Sequence, residues 1–232
     1  MTEALQGRPG LELAGLAVGV ALLAAGEGSR MGGVPKCLIR MAGQPLIRRA
    51  VSALQEAGAA RIVVVTGHYA EAIETELAAL DAGAVEVVRN PAPERGQQSS
   101  VRLGLQALAA HPLDVVLVAL ADQPLVGADD LRELVAAWAA RPAGCRVVYP
   151  EVDAQRGNPV LIEAALAAEV LAARASSGAG GQGGLRGWID AHPEAVHRYR
   201  TANRHFITDL DTPQDLQHLA TATGLAVDLP AG

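Results

Sequence analysis

The sequence predicts an α/β domain of three layers, α/β/α, with helices covering both faces of a mostly parallel sheet. Three observations carry that prediction. Short, near-continuous apolar runs alternate with helix-period patterns along most of the chain, and strands without polar alternation are those buried on both faces. Aromatic residues make up only 3% of the chain, with a single Phe, while 50% is hydrophobic. Such an aliphatic, alanine-rich composition suits helices on a parallel sheet better than a β-sandwich. Finally, 232 residues set against roughly 150 per domain imply one domain with modest extras, and this apolar content excludes a disordered chain.

Residues 1–14 read as a flexible leader, 15–222 as the domain and 223–232 as a tail. The first apolar run, Leu13–Ala25, is about 13 residues, short of the roughly 20 that a membrane helix needs. Glu3 and Glu12 precede it against a single Arg8, the wrong charge for a secretion signal. A buried strand, no membrane partner and cytoplasmic residence are expected. Strands are predicted at Leu16–Ala24, Arg61–Thr66, Val85–Val88, Val115–Ala121 and Arg146–Tyr149, short and bounded by Gly, Pro, Asn or Asp.

Between them fall the helices. Pro45–Ala57 carries Leu46, Ala50, Leu54 and Ala57 on one stripe and stops at Gly58, a good C-terminal residue. Ala70–Leu80, Ser100–Ala110 and Ala128–Ala140 follow, the last opening with Asp129 and Asp130, which favour a helix N-terminus. Beyond Asp153 the rhythm weakens, with a strand at Asn158–Ile162 and a helix at Glu163–Arg174. Ser176–Gly187, with six glycines, reads as a mobile loop, either a lid or a plain connector. Thr212-Pro213-Gln214-Asp215 has the form of a helix start.

The formal charge of −6 argues against a general nucleic-acid binder, which needs a positive surface to displace counterions. Cys37 and Cys145 stand far apart with no CxxC or His spacing, so they read as reduced thiols. A doubly covered parallel sheet binds ligands at the carboxyl ends of its strands, which is where chemistry is expected.

The loop after the first strand, Leu23-Ala24-Ala25-Gly26-Glu27-Gly28-Ser29-Arg30-Met31-Gly32-Gly33-Val34-Pro35-Lys36, is the most informative segment. Its glycines let backbone N–H groups close on phosphate oxygens. A dinucleotide fingerprint would need GxGxxG spacing and an acid at the end of the second strand; here that strand ends in Thr66-Gly67-His68. A P-loop needs Ser or Thr after its Lys, but Cys37 follows Lys36. What remains is a glycine cradle beside two fixed cations, Arg30 and Lys36, a combination that suits a triphosphate.

Asp122 ends an apolar strand, placing a hard oxygen ligand where Mg²⁺ and phosphates can meet it. Asp209 and Asp211 alternate on an extended segment, so both side chains face one way; either a second metal contact or a substrate contact fits them, and helix-start electrostatics also fits Asp211. Ser99 and Ser100 fit an anion or ribose contact and a helix cap equally well. His68 reads as structural, and Trp188 as a core anchor rather than a stacking platform.

These segments resemble a known family. Leu-Ala-Ala-Gly-x-Gly-x-Arg-Met-Gly followed by Pro-Lys is similar to the signature of nucleotidyltransferases with the Rossmann-like molybdenum-cofactor nucleotidyltransferase fold. Gly96-Gln97-Gln98-Ser99-Ser100-Val101-Arg102-Leu103-Gly104-Leu105, Leu120-Ala121-Asp122-Gln123-Pro124-Leu125, Arg156-Gly157-Asn158-Pro159-Val160 and Asp209-Leu210-Asp211-Thr212-Pro213 resemble four further motifs of the molybdenum cofactor cytidylyltransferases. The likeness spans about residues 18–220. It implies nucleotide contacts from Leu23, Ala24, Ala25, Gly26, Gly28, Ser29, Arg30, Lys36, Ser99 and Ser100, with Arg30, Lys36 and Asp122 catalytic. It implies Mg²⁺ held by Asp122 and Asp209, and acceptor contacts from Arg156, Gly157, Asn158, Asp209 and Asp211.

The implied reaction moves CMP from CTP to a phosphorylated small molecule, the molybdopterin form of molybdenum cofactor, with pyrophosphate released. A molybdenum hydroxylase would be the downstream partner. Guanylyl transfer, another phosphorylated acceptor, a nicotinamide-dependent reductase such as one relative in the family, and a non-catalytic cofactor chaperone are the alternatives. Two departures, Asn158 where the family usually has His and Gln182 where it often has Asp, fall on the acceptor side and leave the reaction class intact.

Overall fold

The computed structural model describes residues 15–80, 85–176 and 184–230, with backbone alone at 174–176. The expected leader, Gln182 and most of the glycine-rich loop lie outside the described residues. The first half of the chain forms β1 (Val18–Ala24), β2 (Arg40–Met41), β3 (Gln44–Pro45), α1 (Leu46–Ala57), β4 (Arg61–Thr66), α2 (Ala70–Ala78), β5 (Val85–Arg89) and α3 (Gln97–Leu108). The second half forms β6 (Val115–Leu120), α4 (Ala128–Ala139), β7 (Val147–Val152), β8 (Gln155–Arg156), β9 (Val160–Glu163) and α5 (Ala164–Ser176). It closes with α6 (Leu185–Ala191), β10 (Val196–Arg200), α7 (Pro213–Thr223) and β11 (Val227–Asp228).

The main sheet runs β10-β7-β9-β6-β1-β4-β5, with β8 folded back on β7. Its path is parallel except for β9, which runs against both β6 and β7. The chain moves outward from β1 to β4 and β5, then returns to the other side of β1 for β6. That reversal opens a crevice between the carboxyl ends of β1 and β6, the place where such sheets take ligands.

Period-2 alternation along β1 sends side chains to two cores. Val20 and Leu22 pack with Ile47, Val51 and Leu54 of α1, Ile73 of α2 and Leu134 of α4. Ala21 and Leu23 pack on the other face with Val101, Leu105 and Leu108 of α3, Leu166 of α5 and Leu185 of α6. Gly104 lets α3 lie directly on β1, because a Cβ there would stand 2.7 Å from that of Ala21.

A third cluster, Met31, Ile39, Met41, Leu46, Leu210 and Leu219, sits beside the small antiparallel sheet β11-β2-β3. It ties the segment before α7 to the loop after β1. Residues 227–228, in the stretch read as a tail, form β11 against β2. Helix α3 begins at Gln97 rather than Ser100, and β10, a charged edge strand, escaped the apolar pattern because only alternate residues approach the core. Helix α5 runs to Ser176 and α6 begins at Leu185, so both ends of the expected glycine loop are helical. Among the described residues, no helix is long and apolar enough to cross a membrane.

Candidate active site

At the β1/β6 crevice the last ladder bond runs from Ala121 N–H to Leu23 C=O, 3.0 Å. Beyond it the two chains part around a cleft of about 540 Å³. Leu23 through Arg30, Lys36 and Cys37 line one side; Asp122, Asp209 and Asp211 line another, and His68, Glu94, Gln97 and Ser100 close the rest. The sequence-predicted nucleotide residues are thus brought together, with the exception of Ser99.

The glycine loop turns back on itself. Gly28 C=O accepts from Met31 N–H (2.8 Å) and Gly33 N–H (3.1 Å) around a 3₁₀ turn at Ser29–Met31. Gly28 and Gly32 have φ of 68° and 69°, and a Cβ on Gly28 would run into the Val34 carbonyl, so only glycine fits there. Gly67 is required for a second reason: its Cβ would lie 2.7 Å from that of Ala25 and 2.9 Å from that of Pro93. The Ala25 methyl therefore leans on the end of β4 as well as on the cleft.

The charges form a chain. Asp211 accepts from Arg30 at 2.8 Å and from Lys36, and Lys36 also faces Asp122 at 3.4 Å. Lys36 is well buried and Arg30 largely exposed. Leu210 N–H donates to the Asp122 carbonyl at 3.2 Å, which pins the Asp209–Asp211 segment to the end of β6. Both aspartates line the cleft, as the alternation predicts. Asp215 Oδ2 accepts from Asp211 N–H (2.9 Å), Thr212 N–H (2.7 Å) and the Thr212 hydroxyl (2.9 Å). Burial raises its pKa, but these donors outweigh burial and leave it lowered.

Burial pushes the Asp122 carboxyl up against the pull of Lys36. Asp209 rises to about 6, first by burial and then by the neighbouring Asp122 charge. Burial and Asp122 also push the Cys37 thiol up to about 12, which disfavours its thiolate. Among the described residues Asp209 Oδ1 is buried without a hydrogen-bond partner, although the Gln123 side chain bonds the carboxylate and moderates the rise. A buried orphan acceptor whose carboxylate is repelled by its neighbour is the environment that a divalent cation would relieve. Among the described residues no group of three or more His, Cys, Asp or Glu side chains could hold a metal ion.

Ser99, Arg156, Gly157 and Asn158 stand outside the cleft, and Ser100, which lines it, is also tied to a neighbour. The Ser99 hydroxyl donates to Gly96 C=O at 2.7 Å and accepts from Asn90 at 2.8 Å, and Ser100 accepts from Asn90 at 2.9 Å. Both lie within the first turn of α3 rather than at its cap, and they knit β5 to that helix. Arg156, Gly157 and Asn158 do not line the cleft. Asn158 N–H donates to Phe206 C=O at 2.9 Å, a Cβ on Gly157 would meet the same carbonyl, and the Arg156 guanidinium lies 4.7 Å over the Tyr149 ring. Trp188 packs beside the core and stacks on His192 at 4.3 Å. Sequence reasoning missed Tyr69, whose hydroxyl reaches the loop carbonyls of Glu27 (2.9 Å) and Gly33; its position next to His68 at a strand end was the only available signal.

Comparison with known proteins agrees with this geometry. A stretch of 139 residues, 60% of the chain, is 34% identical to the bifunctional protein GlmU of Streptomyces avermitilis but spans 28% of that protein. Nicotine blue oxidoreductase of Paenarthrobacter nicotinovorans is 29% identical over 203 residues, 85% of this chain and 94% of that one. The 4-diphosphocytidyl-2C-methyl-D-erythritol synthase of Anaerococcus prevotii shares the fold, with TM-score 0.71 at 14% identity over 92% of this chain and 98% of the other. The family model for the MobA-like NTP transferase domain matches residues 20–196, and the chain belongs to that nucleotidyltransferase family.

Proposed function

We propose that this protein transfers CMP from CTP to a phosphorylated small acceptor, with the molybdopterin form of molybdenum cofactor as the first candidate. The observation that carries the reading is the placement of Lys36 between Asp122 and Asp211 at the sheet's switch point, beside a glycine loop. An incoming triphosphate can take over the cations that Asp211 now holds, and the freed carboxylates can turn to a metal. Mg²⁺ bound there would neutralise charge developing on the phosphate oxygens. Asp122 and Asp209 would hold it.

An acceptor phosphate oxygen attacks the α-phosphorus, and the α–β P–O bond breaks to release pyrophosphate. Lys36 and Arg30 align and neutralise the leaving phosphates, so no covalent enzyme intermediate is needed. A molybdenum hydroxylase would then receive the product. Incubation with the four NTPs, Mg²⁺ and purified molybdenum cofactor, read by product mass, tests this directly. A cytosine dinucleotide product with stoichiometric pyrophosphate is expected, and its absence with every NTP would defeat the proposal.

The near-full-length match to nicotine blue oxidoreductase favours a redox reading as the second choice. Against it, β4 ends at Thr66 and continues Gly67-His68, without the carboxylate that would hold a dinucleotide ribose. Oxidation of NADH or NADPH followed by absorbance separates the two.

A further inference from the structure

We infer that Tyr69 is a positioning residue for the nucleotide phosphates, acting through the backbone of the glycine loop. The inference rests on the reading of that loop as the phosphate cradle. Tyr69 stands three residues beyond β4 and its backbone carbonyl accepts from Ile73 N–H at 3.1 Å, so it opens α2. Its ring packs against the core beneath the sheet. The turn that carries it is held close to the loop because Gly67 abuts Ala25 and Pro93.

From this fixed base the phenol reaches both flanks of the loop, the carbonyls of Glu27 and Gly33. One O–H proton serves two carbonyls, which holds residues 27 and 33 together as a clasp. A trans peptide points its N–H opposite to its C=O. Turning the Glu27 carbonyl toward Tyr69 therefore turns the Gly28 N–H away from it, and Gly28 lines the cleft. Among the described residues, the Gly28 N–H donates in none of the loop's turn bonds, which run from Met31 and Gly33 to Gly28 C=O. Backbone N–H groups presented by a glycine-rich turn form a concavity that phosphate oxygens can enter when the turn is held in place. The loop's internal bonds close its far side at Gly28 C=O, while Tyr69 reaches both Glu27 and Gly33 from a different part of the chain.

The ring would pack equally well as Phe, so removing the hydroxyl isolates the positioning role. Wild type, Tyr69→Phe and Lys36→Ala are titrated calorimetrically with CTP plus Mg²⁺, with pyrophosphate, and with cytidine, which lacks phosphates. Tyr69→Phe is expected to weaken CTP and pyrophosphate about five- to tenfold, the scale of one ordinary hydrogen bond, with cytidine affinity and thermal midpoint unchanged. CTP affinity within a factor of two of wild type would overturn the role. So would a matched loss for cytidine, which would mean the whole cleft had deformed. Lys36→Ala separates the two levels: if it too binds CTP fully, the phosphate reading of the loop fails. If it alone loses affinity, only the role of Tyr69 fails.

Discussion

Lys36 and Arg156 are both partly buried cations at the carboxyl edge of one sheet, yet their surroundings differ. Lys36 meets two carboxylates, Asp122 and Asp211. Arg156 lies on the face of Tyr149, and among the described residues no carboxylate stands within 4.0 Å of it. Burial lowers its pKa, with Arg186 adding repulsion against the favourable field of Tyr149 and Asp190. A cation already paired inside a cleft is poised for exchange, since a triphosphate and a metal can divide the pair between them. A cation resting on a π face contributes less to stability and is free to meet an anion from outside. On the proposed function, the first region would serve the nucleotide and the second would be left to the acceptor.

The strongest way to break that division is Asp122→Asn. The change is nearly isosteric and removes one of the charges that destabilise Asp209, so the fold should hold. Turnover is expected to fall by roughly 10²–10³, the loss typical for one major electrostatic stabiliser. Wild-type turnover at limiting Mg²⁺ would remove Asp122 from the chemistry.

Next in size is Lys36→Ala, expected to cost about 1.5–3 kcal/mol in nucleotide binding or transition-state stabilisation, as for charge-assisted hydrogen bonds. Unchanged affinity and rate would place the phosphates elsewhere. Arg156→Gln sharpens the other half of the comparison. It should raise the KM for molybdenum cofactor about tenfold, the scale of one charged contact, while CTP affinity stays within twofold. Equal losses for both substrates would merge the two regions into one site.

The two regions also differ in how far the sequence exposed them. The glycine loop was legible because backbone geometry and cationic residues are encoded within a few consecutive positions, and Asp122 because an apolar strand leads straight into it. What the sequence did not reveal is tertiary. Pairing of Asp211 with Arg30 spans 181 positions, and the clasp by Tyr69 depends on how closely Gly67 lets β4 approach β1. Ser99 and Ser100 were ambiguous because a hydroxyl near a helix start serves a ligand or a neighbour equally; both meet Asn90, and Ser100 also lines the cleft. The two-residue strands β2, β3 and β11 are too short to leave any period.

A smaller effect should appear in stability against pH. Asp209, at about 6 in the folded protein, binds its proton more tightly there than in the unfolded chain. Its own contribution to stability therefore falls as pH rises from about 4 to 6 and levels off above that. Asp209→Asn, measured with chelator present, should remove this slope and raise the thermal midpoint at pH 7 by roughly 2–4 °C, with no gain near pH 4. A variant that is less stable at pH 7 would mean that the Gln123 side chain's bond to the carboxylate outweighs the cost of its burial.

The smallest expected effect concerns nucleotide choice, and it rests on the Ala25 methyl. The resembled family's GTP users tend to carry Leu-Ala-Gly-Gly where this chain has Leu23-Ala24-Ala25-Gly26. Ala25 lines the cleft, and a base seated against its methyl would have less room than against glycine, which would favour a pyrimidine. Because the same methyl leans on Gly67, only part of it faces a ligand, so the effect should sit at the low end of what one methyl can do in a pocket. A CTP preference over GTP of about tenfold is expected, falling to about threefold in Ala25→Gly. Competition with equal CTP and GTP, read as the ratio of the two products, measures both numbers in one vessel. Equal or better use of GTP by the wild type would defeat the cytidylyl assignment and leave nucleotidyl transfer standing. An unchanged ratio in Ala25→Gly would mean that the methyl serves only to seat β1 against β4, with the base read by groups on the far side of the cleft.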